Sequence, residues 1–234
     1  MNKTKLLTAV CCTAMLFAAC EKSEPTNNSS EDQTIFTGTE NGYEWVDLGL
    51  SVKWATCNLG ATKPEEYGNY YAWGEIATKD SYTWSNYKYA NGSYDALTKY
   101  CDNSKYGQDG FTDELTTLTA ADDAATQICG GNWRMPTIDE WKELFEKCTW
   151  TWITKNSING YEVKAANGSS IFLPAAGERD GTKLSLVGTY GNYWSSSLEA
   201  NKLGAAWYVY FSSDHHSTGD SDRHWGHSIR PVMK

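Results

Sequence analysis

The chain has no surplus of positive charge: 20 Lys and Arg stand against 29 Asp and Glu, for a formal net charge of −9. Phosphate backbones are gripped by basic surfaces, so nucleic acid is not expected as a partner. No apolar run reaches the roughly 18 residues of a bilayer-spanning helix. Proline is scarce, at 5, and the 20 glycines are dispersed, which excludes collagen-like and Pro-rich architectures. No CxxC pair, HExxH or Gly-rich phosphate loop occurs, so zinc knuckles, thioredoxin-like motifs and the common nucleotide and zinc-hydrolase signatures are absent. What the chain has in excess is rings: 11 Trp, 15 Tyr and 6 Phe in 234 residues. That much aromatic surface excludes disorder for most of the chain and leaves one question, whether it is core or binding surface.

Met1 to Lys5 carries two lysines and no acid, and Leu6 to Ala19 is apolar and small. These are the charged and hydrophobic regions of a secretory signal. The segment ends Met15-Leu16-Phe17-Ala18-Ala19-Cys20, which resembles a bacterial lipobox. The resemblance implies diacylation of the Cys20 thiol, cleavage before it and acylation of the new amine. Several acyl chains anchor stably where a single one does not. An ordinary signal peptide with an incidental cysteine is the plainer alternative. Residues 21–40 are polar and acidic, as a flexible tether is. The expected organisation is a signal peptide over 1–19, a lipid-anchored tether over 20–42 and one folded domain over 43–234. Losing residues 1–19 removes two lysines and no acid, moving the formal charge from −9 to −11. Glu21 and Glu24 resemble the acidic export signals of surface lipoproteins in gut Bacteroidetes. The expected location is therefore the outer membrane with the domain exposed at the surface, and a periplasmic orientation is the alternative.

Cys57, Cys101, Cys129 and Cys148 remain after processing. In an oxidising envelope an even number suggests up to two disulfides, in three connectivities. A Cys57–Cys148 bridge is the favoured expectation, and buried free thiols are the alternative.

Tyr43 to Leu48 and Leu50 to Cys57 alternate as strands do. Residues 58–115 hold short runs of Gly, Asn, Tyr and Asp and read as long ordered loops pinned by aromatics. Two helices follow. The first starts near Thr119, with Asp122 and Asp123 at its N-terminus and Gly130-Gly131 at its end. The second opens with the capping box Thr137-Ile138-Asp139-Glu140, and Trp141, Leu144, Phe145 and Cys148 form one apolar face. Thereafter strands are expected over 149–154, 161–165, 170–174, 193–198, 205–212 and 228–233, with Asn159-Gly160 and Asn167-Gly168 as hairpin turns. Helices segregated from an antiparallel sheet define an α+β fold.

Six segments occur in a telling order: WVDLGLSVKWATCNLGA (45–61), YYAWGE (70–75), CGGNWRMPT (129–137), SIFLPAAGERDG (170–181), YWSSSL (193–198) and SIRPV (228–232). Together they resemble the Fibrobacter succinogenes major paralogous domain, common in surface lipoproteins of gut Bacteroidetes. GGNWRMPTIDEWKEL at 130–144 resembles the signature of the wider formylglycine-generating-enzyme and C-type-lectin-like superfamily. The resemblance spans residues 43–234 and implies a C-type-lectin-like fold: two helices beside small twisted antiparallel sheets, terminal strands close together and long loops on one face.

Read as chemistry, Arg134 suits a carboxylate partner and stacking on an aromatic, and Arg230 suits a fixed polar partner in the last strand. The formylglycine-generating relatives hold copper with a cysteine pair in the C-terminal part of the domain, but here no cysteine follows Cys148. Catalysis is not expected. Glu178-Arg179-Asp180 reads as a solvated turn rather than a glycosidase pair, and Ser195-Ser196-Ser197 has no elbow glycine. The four histidines, His215, His216, His224 and His227, lie near Asp214, Asp220 and Asp222 without clean ligand spacing and read as a solvated loop. No cofactor is expected; calcium stays open, although the EPN-, QPD- and WND-like triplets of sugar-binding C-type lectins are absent. Residues 186–227 have the Tyr, Trp, Ser, Asn and Gly of a recognition surface. The resemblance places the variable segment of related proteins there. The expected ligand contacts are Arg179, Tyr190, Asn192, Trp207, Asp214, His215, Arg223, His224 and Trp225, and the expected partner is an extracellular glycan or protein. A structural or accessory role in a surface assembly is the alternative, and a degenerate enzyme a more distant one.

Overall fold

Alternation along 43–57 produces two short strands rather than long ones. The computed structural model describes residues 37–202 and 204–234. In it β1 (Thr37–Glu40) pairs with β2 (Tyr43–Val46), which pairs with β3 (Lys53–Ala55). The sheet thus starts before the expected boundary at residue 43. Asn41-Gly42, both at positive φ, makes the tight turn that folds part of the expected tether back onto β2. Residues 1–36, including Cys20, lie outside the described residues.

From residue 58 to residue 119 the chain is loop and 3-10 turn, held by buried ring hydroxyls and indoles, as the composition predicts. Tyr70 donates to the Ala176 carbonyl at 2.5 Å, Tyr82 to Tyr70 at 2.7 Å and Trp73 to Ser195 at 2.9 Å. Helix α1 (Ala124–Cys129) is shorter than expected: Ala120–Asp122 is a 3-10 turn, and Asp123 is the N-cap, accepting from the Thr126 N–H at 2.9 Å. Asp122 does other work. It accepts from Tyr100 at 2.6 Å, Lys99 at 2.5 Å and Thr119 at 3.1 Å, and from Tyr89.

Helix α2 (Ile138–Lys147) carries the expected capping box, Thr137 with Glu140. Trp141 and Leu144 are fully buried, with Phe145 and Cys148 packed beside them. Arg134 forks onto the same Glu140 carboxylate at 2.8 and 2.5 Å. The Arg134 backbone pairs with Val232, so one carboxylate joins the helix cap to the last strand.

Next come β4 (Cys148–Lys155), β5 (Ile158–Ala165) and β6 (Ser170–Pro174), paired in that order. The β4–β5 turn is Asn156-Ser157, at φ 48° and 68°, not Asn159-Gly160. Gly160 is a strand residue, paired with Ile153 and Pro174, and it is glycine because a Cβ there would stand 2.3 Å from the Leu173 carbonyl oxygen. Asn167-Gly168 does form the β5–β6 turn. A small hairpin, β7 (Glu178–Asp180) and β8 (Lys183–Ser185), leads to the third sheet, β9 (Gly191–Leu198), β10 (Ala205–Ser212) and β11 (His215–Asp222), in the order β11-β10-β9. Strand β11 occupies what the sequence suggests is a loop. The last strand, β12 (Val232–Met233), pairs with β3.

Among the described residues the architecture is α+β, two α-helices with several small antiparallel sheets. Two apolar clusters flank β9: Tyr193 belongs to the one with Trp54, Trp141 and Phe211, and Trp194 to the one with Trp73, Trp133 and Tyr100. Arg230 is fully buried and donates to Asn58 Oδ1 and to the carbonyls of Ala55, Thr56 and Phe172, all within 3.0 Å. These neutral acceptors are its fixed partner.

The expected Cys57–Cys148 bridge is not formed; Cys57, Cys101, Cys129 and Cys148 are all free thiols. Cys57 follows β3 beside Thr56, while Cys148 pairs with Ala165 in a different sheet. Burial pushes both the Cys129 and Cys148 thiols up to about 11, away from reactive thiolate.

Candidate functional site

Strand β10 reads Trp207-Tyr208-Val209-Tyr210-Phe211, bulky at every position. Successive side chains alternate across a sheet, so both faces of β10 carry rings. Val209 and Phe211 are fully buried on the face toward α2 and β4–β6, and Trp207 packs beside them. Tyr208 and Tyr210 take the other face, and both are half-buried.

The neighbouring strand leaves room for them. Directly opposite Tyr210 and Tyr208, β11 supplies Ser217 and Gly219. A Cβ on Gly219 would lie 2.9 Å from Tyr208 Cε1 and 3.1 Å from Tyr210 Cε1, so the two rings lie down over bare backbone. They stack with centroids 5.5 Å apart and planes 25° apart. The row continues at both ends. Tyr210 meets His215 at 5.6 Å, Tyr208 stacks on His227 at 5.2 Å, and His227 meets Trp225 at 6.2 Å. Trp225, Tyr208 and Tyr210 are half-buried and His215 is exposed, while His227 between Trp225 and Tyr208 is fully buried, so four of the five rings reach solvent.

Polar groups border the row. Burial, then Asp180, raises the Glu178 carboxyl. Burial, then Glu178, pushes the Tyr208 hydroxyl up to about 12. Burial alone accounts for most of the fall of His227 to about 3, so its imidazole is neutral at physiological pH. The surface is therefore made of neutral rings and hydroxyls with carboxylates nearby. Such a face stacks on the apolar side of a ring-shaped ligand and exchanges hydrogen bonds with its hydroxyls.

The nine expected contact residues are divided by the fold. His215 and Trp225 end the aromatic row. Asn192 lies opposite Tyr210 but is buried, and its Nδ2 has no hydrogen-bond partner. Arg223 lies away from the row: it is buried over Trp73 at 5.4 Å, donates to the Ala205 carbonyl and lines a separate cleft with Glu199 and Lys202. His224 is likewise buried, against Trp84 at 4.8 Å, and burial lowers its pKa. Trp207 faces the core under Lys142, 5.9 Å from its ammonium. Asp214 is exposed in the β10–β11 turn, accepting from Ser212 at 2.8 Å. Tyr190 lies apart, in an exposed apolar segment that runs from Leu184 of β8 through Leu186 and Val187. Arg179 lies over Tyr70, in a separate cleft.

Of the three serines, Ser195 Oγ donates to the Trp207 carbonyl and Ser197 Oγ accepts from the Ile138 N–H at the start of α2. Among the described residues no group of three His, Cys, Asp or Glu is placed to hold a metal ion.

Compared with protein-family models, with curated proteins and with solved structures, the chain matches none. The geometry of the site therefore carries the functional argument by itself.

Sequence reasoning missed Tyr208 and Tyr210, which look like core in a strand of five large residues. The available signal was the partner strand: His-Ser-Thr-Gly-Asp-Ser (216–221) has no apolar side chain to cover a second face of β10.

Proposed function

We propose that the protein is a lipid-anchored, surface-exposed lipoprotein of C-type-lectin-like fold that binds an extracellular glycan without transforming it. The row Trp225–His227–Tyr208–Tyr210–His215 is the observation that carries this reading. The solvent-reachable parts of Tyr208, Tyr210, His215 and Trp225 offer a sugar apolar contact and hydrogen-bonding groups along one line, and the buried His227 beneath leaves little to be ordered on binding. The adjacency of β3 and β12, the two helices and the long ordered loops support the fold assignment. The test is a glycan array probed with the chain from residue 21 onward, wild type against Tyr210→Ala and Trp225→Ala. Loss of retention in both variants, each with an unchanged thermal midpoint, is expected. Undiminished retention overturns the site, and release of shortened sugars overturns the non-enzymatic reading.

One observation favours a second reading, an accessory subunit that docks on protein. Leu184, Leu186, Val187 and Tyr190 are each 38–44% exposed in one short segment. Leu186, moreover, is held at φ 61°, a conformation costly for a leucine. Self-association or co-purification of a partner, abolished by Leu186→Ser while glycan retention persists, would support it.

A further inference from the structure

An acidic protein has carboxylates to spare for its arginines, yet Arg179 has none. Among the described residues every ion pair involves other side chains, and no hydrogen bond engages the Arg179 guanidinium. The guanidinium is instead laid over the Tyr70 ring, 5.4 Å from its centroid. The fold fixes it there from three sides. The Arg179 backbone exchanges hydrogen bonds with Gly226 at 2.8 and 2.9 Å. A Cβ on Gly226 would fall 2.8 Å from Tyr82 and 3.0 Å from Arg179 Cβ, so only glycine lets these parts close up. The hydroxyls of Tyr70 and Tyr82 are both spent as donors to backbone carbonyls, which locks the rings under and beside the guanidinium.

The space in front is a cleft of about 310 Å³ bordered by Asn69, Thr78, Lys79 and Asp80. Its size falls at the lower end of small-molecule sites and admits one sugar ring. Lys79 is paired with Glu75 at 2.8 Å, leaving Arg179 as the cation free, among the described residues, to meet a ligand there. A stacked, planar guanidinium with unused donors matches a carboxylate in a two-point fork. We propose that this cleft is a second binding site, for the carboxylate of a hexuronate sugar, with Arg179 as its anchor and Tyr70 as the plate that holds the guanidinium flat. The choice of a sugar as the bearer of the carboxylate rests on the glycan reading above; the carboxylate itself rests on the cleft.

The two readings separate in one calorimetric titration series on the chain from residue 21 onward. The probes are oligogalacturonate, a neutral oligosaccharide of equal length, and oligoglutamate. Wild type is expected to bind oligogalacturonate, with affinity that falls as salt rises. Arg179→Gln should lose at least tenfold, and Arg179→Lys, which keeps the charge but not the fork, should lose severalfold. Arg179→Gln must retain its thermal midpoint for the comparison to count, and Tyr70→Leu, which removes the plate, supplies an independent variant with the same expected loss. Absent oligogalacturonate binding, or binding that survives in both Arg179→Gln and Tyr70→Leu, overturns the site. Oligoglutamate bound as tightly as oligogalacturonate overturns the assignment to a sugar. Neutral oligosaccharide binding by wild type is scored apart, since its failure speaks against the aromatic row and not against the cleft.

Discussion

The imidazole of His227 lies flat on the Tyr208 ring, with centroids 5.2 Å apart and planes inclined by 17°. Trp194 covers it at 4.4 Å, and Nε2 meets the Ser221 hydroxyl at 3.0 Å. Burial pushes this histidine down to about 3, and the unfolded chain takes up a proton near the ordinary value of about 6.5. Because the folded value is depressed, its contribution to stability is present above about pH 6.5 and is lost as pH falls toward 3. Urea midpoints measured from pH 7 to pH 4 should fall. His227→Gln should flatten that fall by up to one proton, about 1.4 kcal/mol per pH unit. An identical slope in the variant would show that His216 and His224, also lowered by burial, account for it instead.

Asp122 offers a second titration. Burial favours its neutral form, but the donors Lys99, Tyr100, Tyr89 and Thr119 outweigh burial and hold the carboxyl well below the usual carboxylate range. A depressed carboxylate stabilises the fold above its unfolded pKa of about 3.9 and ceases to do so as pH falls through the folded value. Asp122→Asn should therefore cost about 2–3 kcal/mol at pH 7 and progressively less below pH 4. Denaturation of wild type and variant in parallel isolates this group from Asp123, which burial shifts the other way. A difference that stays constant with pH would sink the assignment.

Glu140 serves two partners, the Thr137 N–H at 2.8 Å and the Arg134 fork. Glutamine keeps the capping geometry and gives up the ion pair, whereas alanine gives up both. The expected order in urea is Glu140→Gln about 1 kcal/mol below wild type and Glu140→Ala roughly 1 kcal/mol lower again. Equal losses would mean that the cap adds nothing to the ion pair.

What could be read before the fold was known divides by how local the information is. Thr137 to Glu140 specifies a helix start within four residues, and Trp141, Leu144 and Phe145 mark its buried face, so both were legible. Strand β11 was not. His215–Asp222 carries no alternating apolar pattern, because its partner Tyr208 and Tyr210 supply the rings for both strands. Gly160 looked like a turn because glycine tolerates one, and only the carbonyl of Leu173 pressing against it shows the other reason for its place. At the site, His215 and Trp225 were visible as unusual residues in a polar stretch. Arg223 and His224 looked equally exposed, and their burial depends on Trp73 and Trp84, more than a hundred residues away in sequence.

Gly219 gives the sharpest separation between stability and binding. Its missing side chain is what allows Tyr208 and Tyr210 to lie over β11, since a Cβ would meet ring atoms at 2.9 and 3.1 Å. Those atoms belong to side chains at a half-exposed surface, so they have somewhere to go. Gly219→Val should therefore fold, and the β-branched residue should leave the thermal midpoint unchanged or raise it, since valine suits a strand better than glycine. The rings, however, must tilt off the backbone, and a platform that has lost its flatness loses contact with the ligand. Retention on the glycan found by array should drop by about tenfold, the size expected for disturbing an aromatic hot spot. Binding and stability thus move in opposite directions or binding moves alone. A variant that keeps full affinity would show that the flat seat over Gly219 has no part in recognition, and one that merely unfolds would assign Gly219 to the scaffold.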